Sequence, residues 1–434
     1  MKILDSLLNK NLPLLFFSLC TLTISSQKII SGPLQGNTTD TSATLWVLTK
    51  DNSSISISST YDSILLTSSI TEDLFIRSSF KRLRAYRINL FFKKTTLNRI
   101  LFQLNLGEKS FENSITMSSK NDSSFFFGSC AYIGKGFSRI YRPWNTTKIF
   151  ESIANDRRSK YMLWLGDNVY LILNHDLKNK YRIYKRYLGV RKQREMNLLL
   201  SSEKQHYSIW DDHDFGPNNC DGDYENATLT TSAFNNFWVN PESKNGVYYS
   251  FEKGDVSFIM TDGRTFKRTA DSTLLGETQL SWIKKKLLES QKTFKIIVLG
   301  NQFINKGYHE SFYDFEKERN SLIDFINTQK IPGVLFFSGD RHHSEINVET
   351  HQNYYPIHDI TCSALSSPRR VHLKRKEKKY PPNTRVKNSL ILKHNYGLFA
   401  VLNDNGKKVA QITFLNKQGE TLFSYSISSK DLGH

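Results

Sequence analysis

Six short apolar runs, each ending abruptly in polar residues, constrain this chain more than any other feature of it. They are FFFGSC (Phe125 to Cys130), YMLWLGDNVY (Tyr161 to Tyr170), YSIWDDHDFGPNN (Tyr207 to Asn219), VSFIMTDGR (Val256 to Arg264), KIIVLGNQ (Lys295 to Gln302) and VLFFSGDRHH (Val334 to His343). Unbroken apolar runs of this length, separated by longer polar segments, belong to strands covered on both faces. Several of the intervening segments have helical character: Trp144 to Arg157, Leu177 to Leu200, Glu277 to Ser290 and Asn320 to Thr328. Strands alternating with helices predict an α/β layered domain. Ligands in such sheets bind beyond the carboxyl ends of the strands, so the six polar ends are expected to meet at one active site.

The third run is the densest. Asp211, Asp212 and Asp214 flank His213, and Asn218 and Asn219 follow within a few residues. Like charges so close repel, and burying any of them unpaired costs several kcal/mol, so a positive group is expected among them. The strand ends together offer Cys130, Asp167, Tyr170, Asn218, Asp340 and His342. Thiolate, phenolate and imidazole suit a softer or higher-valent transition metal, whereas carboxylate and amide oxygens suit a hard cation such as Ca²⁺ or Mg²⁺. The mixture predicts two unlike metals, with Asp167 as the carboxylate between them. Taken singly, each residue has an ordinary explanation: Cys130 as a packed thiol, Tyr170 as a core aromatic, Asn218 as a turn residue, the aspartates as caps. Their joint occurrence at strand ends does not.

Residues Ile29 to Ser119 read differently. Alternating patches such as SATLWVL (Ser42 to Leu48) and SISIS (Ser54 to Ser58), without helical periodicity, predict short antiparallel strands in a small sandwich that carries no catalytic cluster. The polar stretch Ser118 to Ser124 reads as the linker. Ahead of all this, Met1 to Ser26 has the form of a secretory signal peptide, with Lys2 and Lys10, an apolar LPLLFFSLCTLTI core too short to span a bilayer, and a small-residue exit. The mature chain then keeps Cys130, Cys220 and Cys362, an odd number that leaves at least one thiol outside any internal disulfide.

At 434 residues, with 38 % apolar and 13 % aromatic content, the chain has material for two domains and a large core. A mean hydropathy of −0.46 and the lack of any long apolar run exclude a transmembrane segment. The formal charge of +18 points to an anionic substrate or surface partner, or equally to a bias toward lysine in the source genome. Pro368 to Lys387 gathers nine Lys or Arg against one Glu. Lacking the aromatic platforms that stack single-stranded bases, it is expected to be a solvated loop, with no nucleic-acid partner.

The set GSC, GDNVY, WDDHDFGPNN, GNQ and GDRHH resembles the alkaline phosphatase D (PhoD-like) branch of the calcineurin-like metallophosphoesterases, and SGPLQGNTTDTSATLWV (Ser31 to Val47) is similar to the opening strands of that family's appended sandwich. The resemblance covers nearly the whole mature chain. It implies a signal peptide (1–26), an amino-terminal β-sandwich of fibronectin III-like form (27–120), and a calcineurin-like metallophosphatase αββα sandwich (121–434). It implies Fe³⁺ held by Cys130, Asp167, Tyr170 and His342, and Ca²⁺ held by Asp167, Asn218 and Asp340. The segment after WDDH departs from the family's pattern, so either Asn218 or Asn219 is open as the ligand, with Asn218 favoured.

The expected function is that of an exported, monomeric enzyme hydrolysing phosphomonoesters, phosphodiesters or both by attack of metal-activated water. His213 is a candidate general acid or an orienting neighbour of a ligand. Arg264 is a candidate phosphate clamp or an ion-pair partner of Asp262. Asn301 and Gln302 line the site or make turns, and His343 is expected to face away from His342. Two alternatives keep the fold: cleavage of phospholipid or nucleotide diesters, and a non-catalytic surface binder on a degenerate phosphatase scaffold.

Overall fold

A computed structural model of the chain describes residues 28–50, 54–59, 65–78, 81–119, 122–133, 147–171, 177–306, 310–352, 354–368 and 383–433. The expected signal peptide and most of the basic stretch after Pro368 lie outside the described residues. In the amino-terminal part the strands are β1 (Lys28–Gly36), β2 (Ser42–Lys50), β3 (Ile55–Ser59), β4 (Leu65–Ser78), β5 (Lys81–Phe92), β6 (Arg99–Leu106) and β7 (Lys109–Thr116). There follow β8 (Ser124–Gly128), β9 (Tyr161–Leu165), β10 (Gln205–Ile209), β11 (Tyr249–Lys253), β12 (Val256–Met260), β13 (Phe294–Val298), β14 (Val334–Ser338), β15 (Glu345–Glu349) and β16 (Ile357–Thr361), and the chain closes on β17 (Tyr396–Asp404), β18 (Lys407–Leu415) and β19 (Thr421–Ser428).

Every one of the six apolar runs is a strand. Their lack of polar alternation has the expected cause, since both faces are covered. Phe125 and Phe127 point into a core between two sheets, while Phe126 points the other way, into a core beneath helices. Ile296 and Val298 join the inter-sheet core, whereas Ile297 packs beneath the helices of the opposite layer. The outcome is helix, sheet, sheet, helix. Burying a Phe or Leu fully is worth about 1.5–3 kcal/mol, and the inter-sheet core alone includes fully buried Phe125, Phe127, Phe258, Phe294, Phe337 and Phe399.

The first sheet runs β19-β18-β17-β8-β9-β10-β1-β2-β5-β4 and the second β11-β12-β13-β14-β16-β15, with β3-β6-β7 as a third, small sheet. The central strands β8, β9 and β10 are parallel, as are β12, β13, β14 and β16. Their carboxyl ends therefore gather on one side. The amino-terminal strands enclose a core of their own around Leu45, Val47, Ile88, Phe102 and Leu104. Yet they do not stand free: β1 pairs with β10 at Gln35 and Gln205, and both glutamine side chains donate to the carbonyl of Thr116. One sheet thus spans both parts of the chain.

The helices depart from the sequence expectations in instructive places. Leu177 to Leu200 holds two helices, Lys180–Arg191 and Arg194–Leu200, because Gln193 takes an extended conformation and its side chain caps the second by accepting from Met196 N at 2.7 Å. The helix expected at Glu277 runs Gly276–Glu289. Glu318, from the neighbouring helix Glu316–Thr328, accepts from the N–H groups of Leu274, Leu275 and Gly276, placing a carboxylate where the helix dipole favours one. A further helix spans Ala227–Phe237.

Candidate metal centre at the strand ends

Each strand end turns sharply. Gly128, Gly166 and Gly339 follow or end β8, β9 and β14, and just beyond them the backbone enters the left-handed region at Cys130 (φ 59°), Asp167 (φ 55°), Asp340 (φ 62°) and His342 (φ 57°). A residue with a side chain pays about 1 kcal/mol or more for that conformation. Four such residues at adjacent strand ends mean that the fold holds them there against their own preference. Cross-strand hydrogen bonds do the holding: Ala131 N donates to Asp167 O at 2.9 Å, Gly339 N to Gly300 O at 3.0 Å and Ser367 N to Cys130 O at 3.0 Å. Gly166 and Gly300 admit Asp211 between them, since a Cβ on either would lie 2.7 Å from an atom of its side chain.

The turns bring side chains from three strands together. Tyr170 Oη donates to Asp167 Oδ2 at 3.1 Å and lies 3.3 Å from His342 Nε2, and the Cys130 thiol is 3.5 Å from the same carboxylate oxygen. Ligand atoms of Cys130, Asp167 and His342 all lie within 4.8 Å of one another, and so do those of Asp167, Asp212 and His213. Asp167 belongs to both groups. Its second oxygen, Oδ1, is buried with no hydrogen-bond partner among the described residues. The imidazole of His213 packs on the Tyr170 ring at 4.4 Å between centroids, and its Nδ1 is likewise buried and unpartnered.

Burial and mutual repulsion press several of these acids toward their neutral forms. Burial pushes the Asp167 carboxyl well above the usual carboxylate range, and Cys130, Asp212, Asp211 and Asp340 push it further. Burial and the charge of Asp340 raise the Cys130 thiol, and burial beside Asp167 and Cys130 raises the Tyr170 phenol. Asp211 is pushed up to about 8 by burial, even though Arg264 pulls it back. Burial opposes ionisation of Asp212 too, but Arg264, His213 and the N–H of Asn219 outweigh it and hold that carboxyl below its ordinary value. Thiol, phenol, imidazole and carboxylates converging on an orphaned buried oxygen are a donor set that fits bound cations.

A family model for PhoD-like phosphatases matches residues 125–405. The chain belongs to the PhoD-like phosphatase family. The match runs from β8 to just past β17 and so takes in every strand end of the cluster, while β1 to β7 precede it. No curated protein matches the chain. Phosphatases of this family are metal-dependent, in keeping with the donor set described above.

The other candidate residues are placed as follows. Asp340 is close enough to raise Cys130, Asp167 and Asp211, and its carboxylate pairs with Arg341 at 3.2 Å. Asn218 is not brought to the cluster: it is exposed, and its amide donates to Asn219 Oδ1 at 2.6 Å. Asn219 makes the contact instead, its backbone N–H donating to Asp212 Oδ2 at 2.8 Å. Arg264 is wholly buried, and its guanidinium is spoken for by Asp211 at 2.7 Å, Glu310 at 3.2 Å and the carbonyl of Cys220 at 3.2 Å. Arg264 gives Asp262 no ion pair, only its backbone N–H, and Asp262 also accepts from Trp210, Val247 and Thr265. Lys267 contacts Glu310 as well and donates to Asn219 O. Together the two cations brace the loop that carries Asn219.

Asn301 donates to Glu310 O in a neighbouring loop, and Gln302 donates to Glu345 and Thr361 at the paired ends of β15 and β16. His343 turns away from His342 to Glu345, 3.3 Å distant. Cys130, Cys220 and Cys362 are all free thiols. Sequence reasoning missed Asp212 as a candidate ligand, although the repulsion within WDDHD marked it. It also missed Ser363, whose hydroxyl touches Cys130, because β16 reads IHDIT rather than as an apolar run.

Proposed function

We propose that this protein is an exported two-metal phosphoesterase, acting on phosphomonoesters, phosphodiesters or both. The observation that carries the reading is Asp167, shared by two groups of donors and left with an oxygen that no described residue satisfies. In this reading Cys130, Tyr170 and His342 hold one cation, in line with the Fe³⁺ site of the family's pattern, and Asp212, with Asp340 at the rim, serves a harder one such as Ca²⁺. Asp167, common to both groups, would serve both. Cations held there would neutralise the phosphoryl oxygens and lower the pKa of water enough to supply a nucleophile near neutral pH.

The chain's own residues do the rest. Asp212, held ionised by Arg264 and by the Asn219 N–H, keeps negative charge available where a cation requires it. Arg264 and Lys267, turned inward on Glu310, fix the loop after the third aspartate rather than reaching a substrate. His213 is the proton donor to the departing alcohol, lying beside Asp167 with an unpartnered ring nitrogen. A second role for it, as a ligand in the group with Asp167 and Asp212, is favoured by the same distances. β1 to β7 serve as an appended sandwich that buttresses the catalytic sheet through β10.

The test uses the purified full chain, with elemental analysis and assays on p-nitrophenyl phosphate and bis(p-nitrophenyl) phosphate. We expect at least one transition-metal ion per chain, hydrolysis of one or both esters, and reversible inactivation by a chelator. A metal-free protein that stays inactive when Fe³⁺ and Ca²⁺ are restored refutes the reading.

A further inference from the structure

Ser363 lies two residues beyond β16, outside the motifs that define the site, and its hydroxyl sits between two of the candidate ligands. The N–H of His342 donates to Ser363 Oγ at 2.7 Å, and Ser363 Oγ donates to Cys130 Sγ at 3.0 Å. The direction of the second bond follows from the first. With a lone pair of the hydroxyl occupied by a backbone donor, its single proton is free to point at the sulfur. Ser129 Oγ is also near the sulfur, at 3.6 Å, but its one proton is directed to Cys362 O at 2.9 Å. Ser363 is therefore the short donor to the thiol.

The backbone that carries the hydroxyl is itself held. Ser363 N donates to Ser344 Oγ at 3.1 Å, Ser344 Oγ donates to Asn395 Oδ1 at 2.7 Å, and Asn395 Nδ2 donates to Lys393 O at 2.8 Å. Ser344, Ser363 and Asn395 are all fully buried. These links hold the Ser363 backbone, and the His342 N–H and Cys130 Sγ hold the hydroxyl that projects from it. A purely structural cap for the left-handed His342 would need only the accepting half of this arrangement; the donated proton serves the sulfur.

We propose that Ser363 is a positioning residue of the metal centre: it ties Cys130 and His342, which arrive on different strands, into one fixed pair and tunes the thiolate by hydrogen bonding. The proposal rests on the reading of Cys130 as a metal ligand. Hydrogen bonds to a ligating sulfur draw electron density from it, and partners of this kind typically govern metal affinity by about 10- to 100-fold.

Co²⁺ is the probe. Metal-depleted wild type, Ser363→Ala and Ser363→Thr are titrated with Co²⁺ while the sulfur-to-cobalt charge-transfer band and the dissociation constant are followed, after thermal melting has shown each variant folded. The wild type is expected to show the band. In Ser363→Ala the band moves to lower energy and Co²⁺ binds about tenfold more weakly, whereas Ser363→Thr, which keeps the hydroxyl, restores the wild-type position. Where Ser363→Ala does not fold, Ser344→Ala removes the acceptor that orients Ser363 and must move the band in the same direction. A wild-type band that neither variant shifts overturns the proposal alone. Absence of the band in the wild type removes Cys130 from the centre and overturns the proposal together with the reading beneath it.

Discussion

Two groups of buried carboxylates, one around Asp167 and one made by Glu345 and Asp359, are treated differently by this fold. Glu345 and Asp359 are as thoroughly buried as Asp167. Glu345 accepts from Gln302 at 2.7 Å and from Arg385 at 2.5 Å and faces His343, and these partners overcome burial to hold its carboxyl well below the ordinary range. Asp359 accepts from the N–H groups of Phe303 and Ile304 and from Ser338 Oγ. Asp167, by contrast, has one oxygen without a partner among the described residues, sits on a left-handed backbone, and is surrounded by groups that oppose its ionisation. Burial and carboxylate density are common to both groups. What separates Glu345 and Asp359 from Asp167 is whether the described residues give each carboxylate oxygen a partner.

Replacement of Asp167 should therefore break function and spare the fold. Asp167→Asn is expected to lower phosphate-ester hydrolysis by roughly 10³-fold or more, while the metal-depleted variant melts no lower than metal-depleted wild type, because a repelled charge has been removed. Circular dichroism melts alongside the ester assay check both halves. Activity within a few-fold of wild type would mean that the carboxylate bridges nothing.

The matched group should respond in the opposite way. Glu345→Gln leaves Arg385 facing a neutral amide, and breaking a buried pair of this kind costs about 3 kcal/mol or more. Metal content per folded molecule should stay unchanged. The cost also depends on pH. With its folded value held below the ordinary 4.5, Glu345 lends stability that is fully present above that pH and is lost as pH falls below it. Urea melts at pH 7 should then separate wild type from the variant widely, and melts below pH 4 much less; a constant gap across that range would contradict the ion pairing.

The same contrast explains what could be read from the residues alone. The six catalytic-layer strands were legible because doubly covered strands have no polar alternation, and the ends were legible because a cluster of donors has no packing explanation. β16 was not, since His358 and Asp359 interrupt it, and Asp359 is tolerated only because Phe303 and Ile304, fifty-odd residues away, turn their N–H groups to it. The helix Ala227–Phe237 was hidden by Thr and Asn, poor helix formers that tertiary packing of Thr230, Ala233, Phe234 and Phe237 overrides. Arg264 looked available to substrate because its partners, Asp211 and Glu310, lie 53 and 46 residues distant. The contact between Asn219 and Asp212 needed the loop conformation, with Asn219 at φ 62°, which no periodicity encodes.

His213 sharpens the comparison at the level of a single nitrogen, because its unpartnered Nδ1 serves either a proton or a cation. The two roles separate by leaving group. A nitrophenolate departs without help, whereas an alkoxide needs a proton. As a general acid, His213 is expected in His213→Asn to lose about 10²-fold on an alkyl ester such as glycerol phosphate and only a few-fold on p-nitrophenyl phosphate. As a ligand, it would cost both substrates alike, and metal content would fall with them. Parallel assays of the two esters, with metal analysis of the same preparations, decide which side of the cluster the imidazole serves; equal losses with reduced metal would transfer His213 from the proton to the cation.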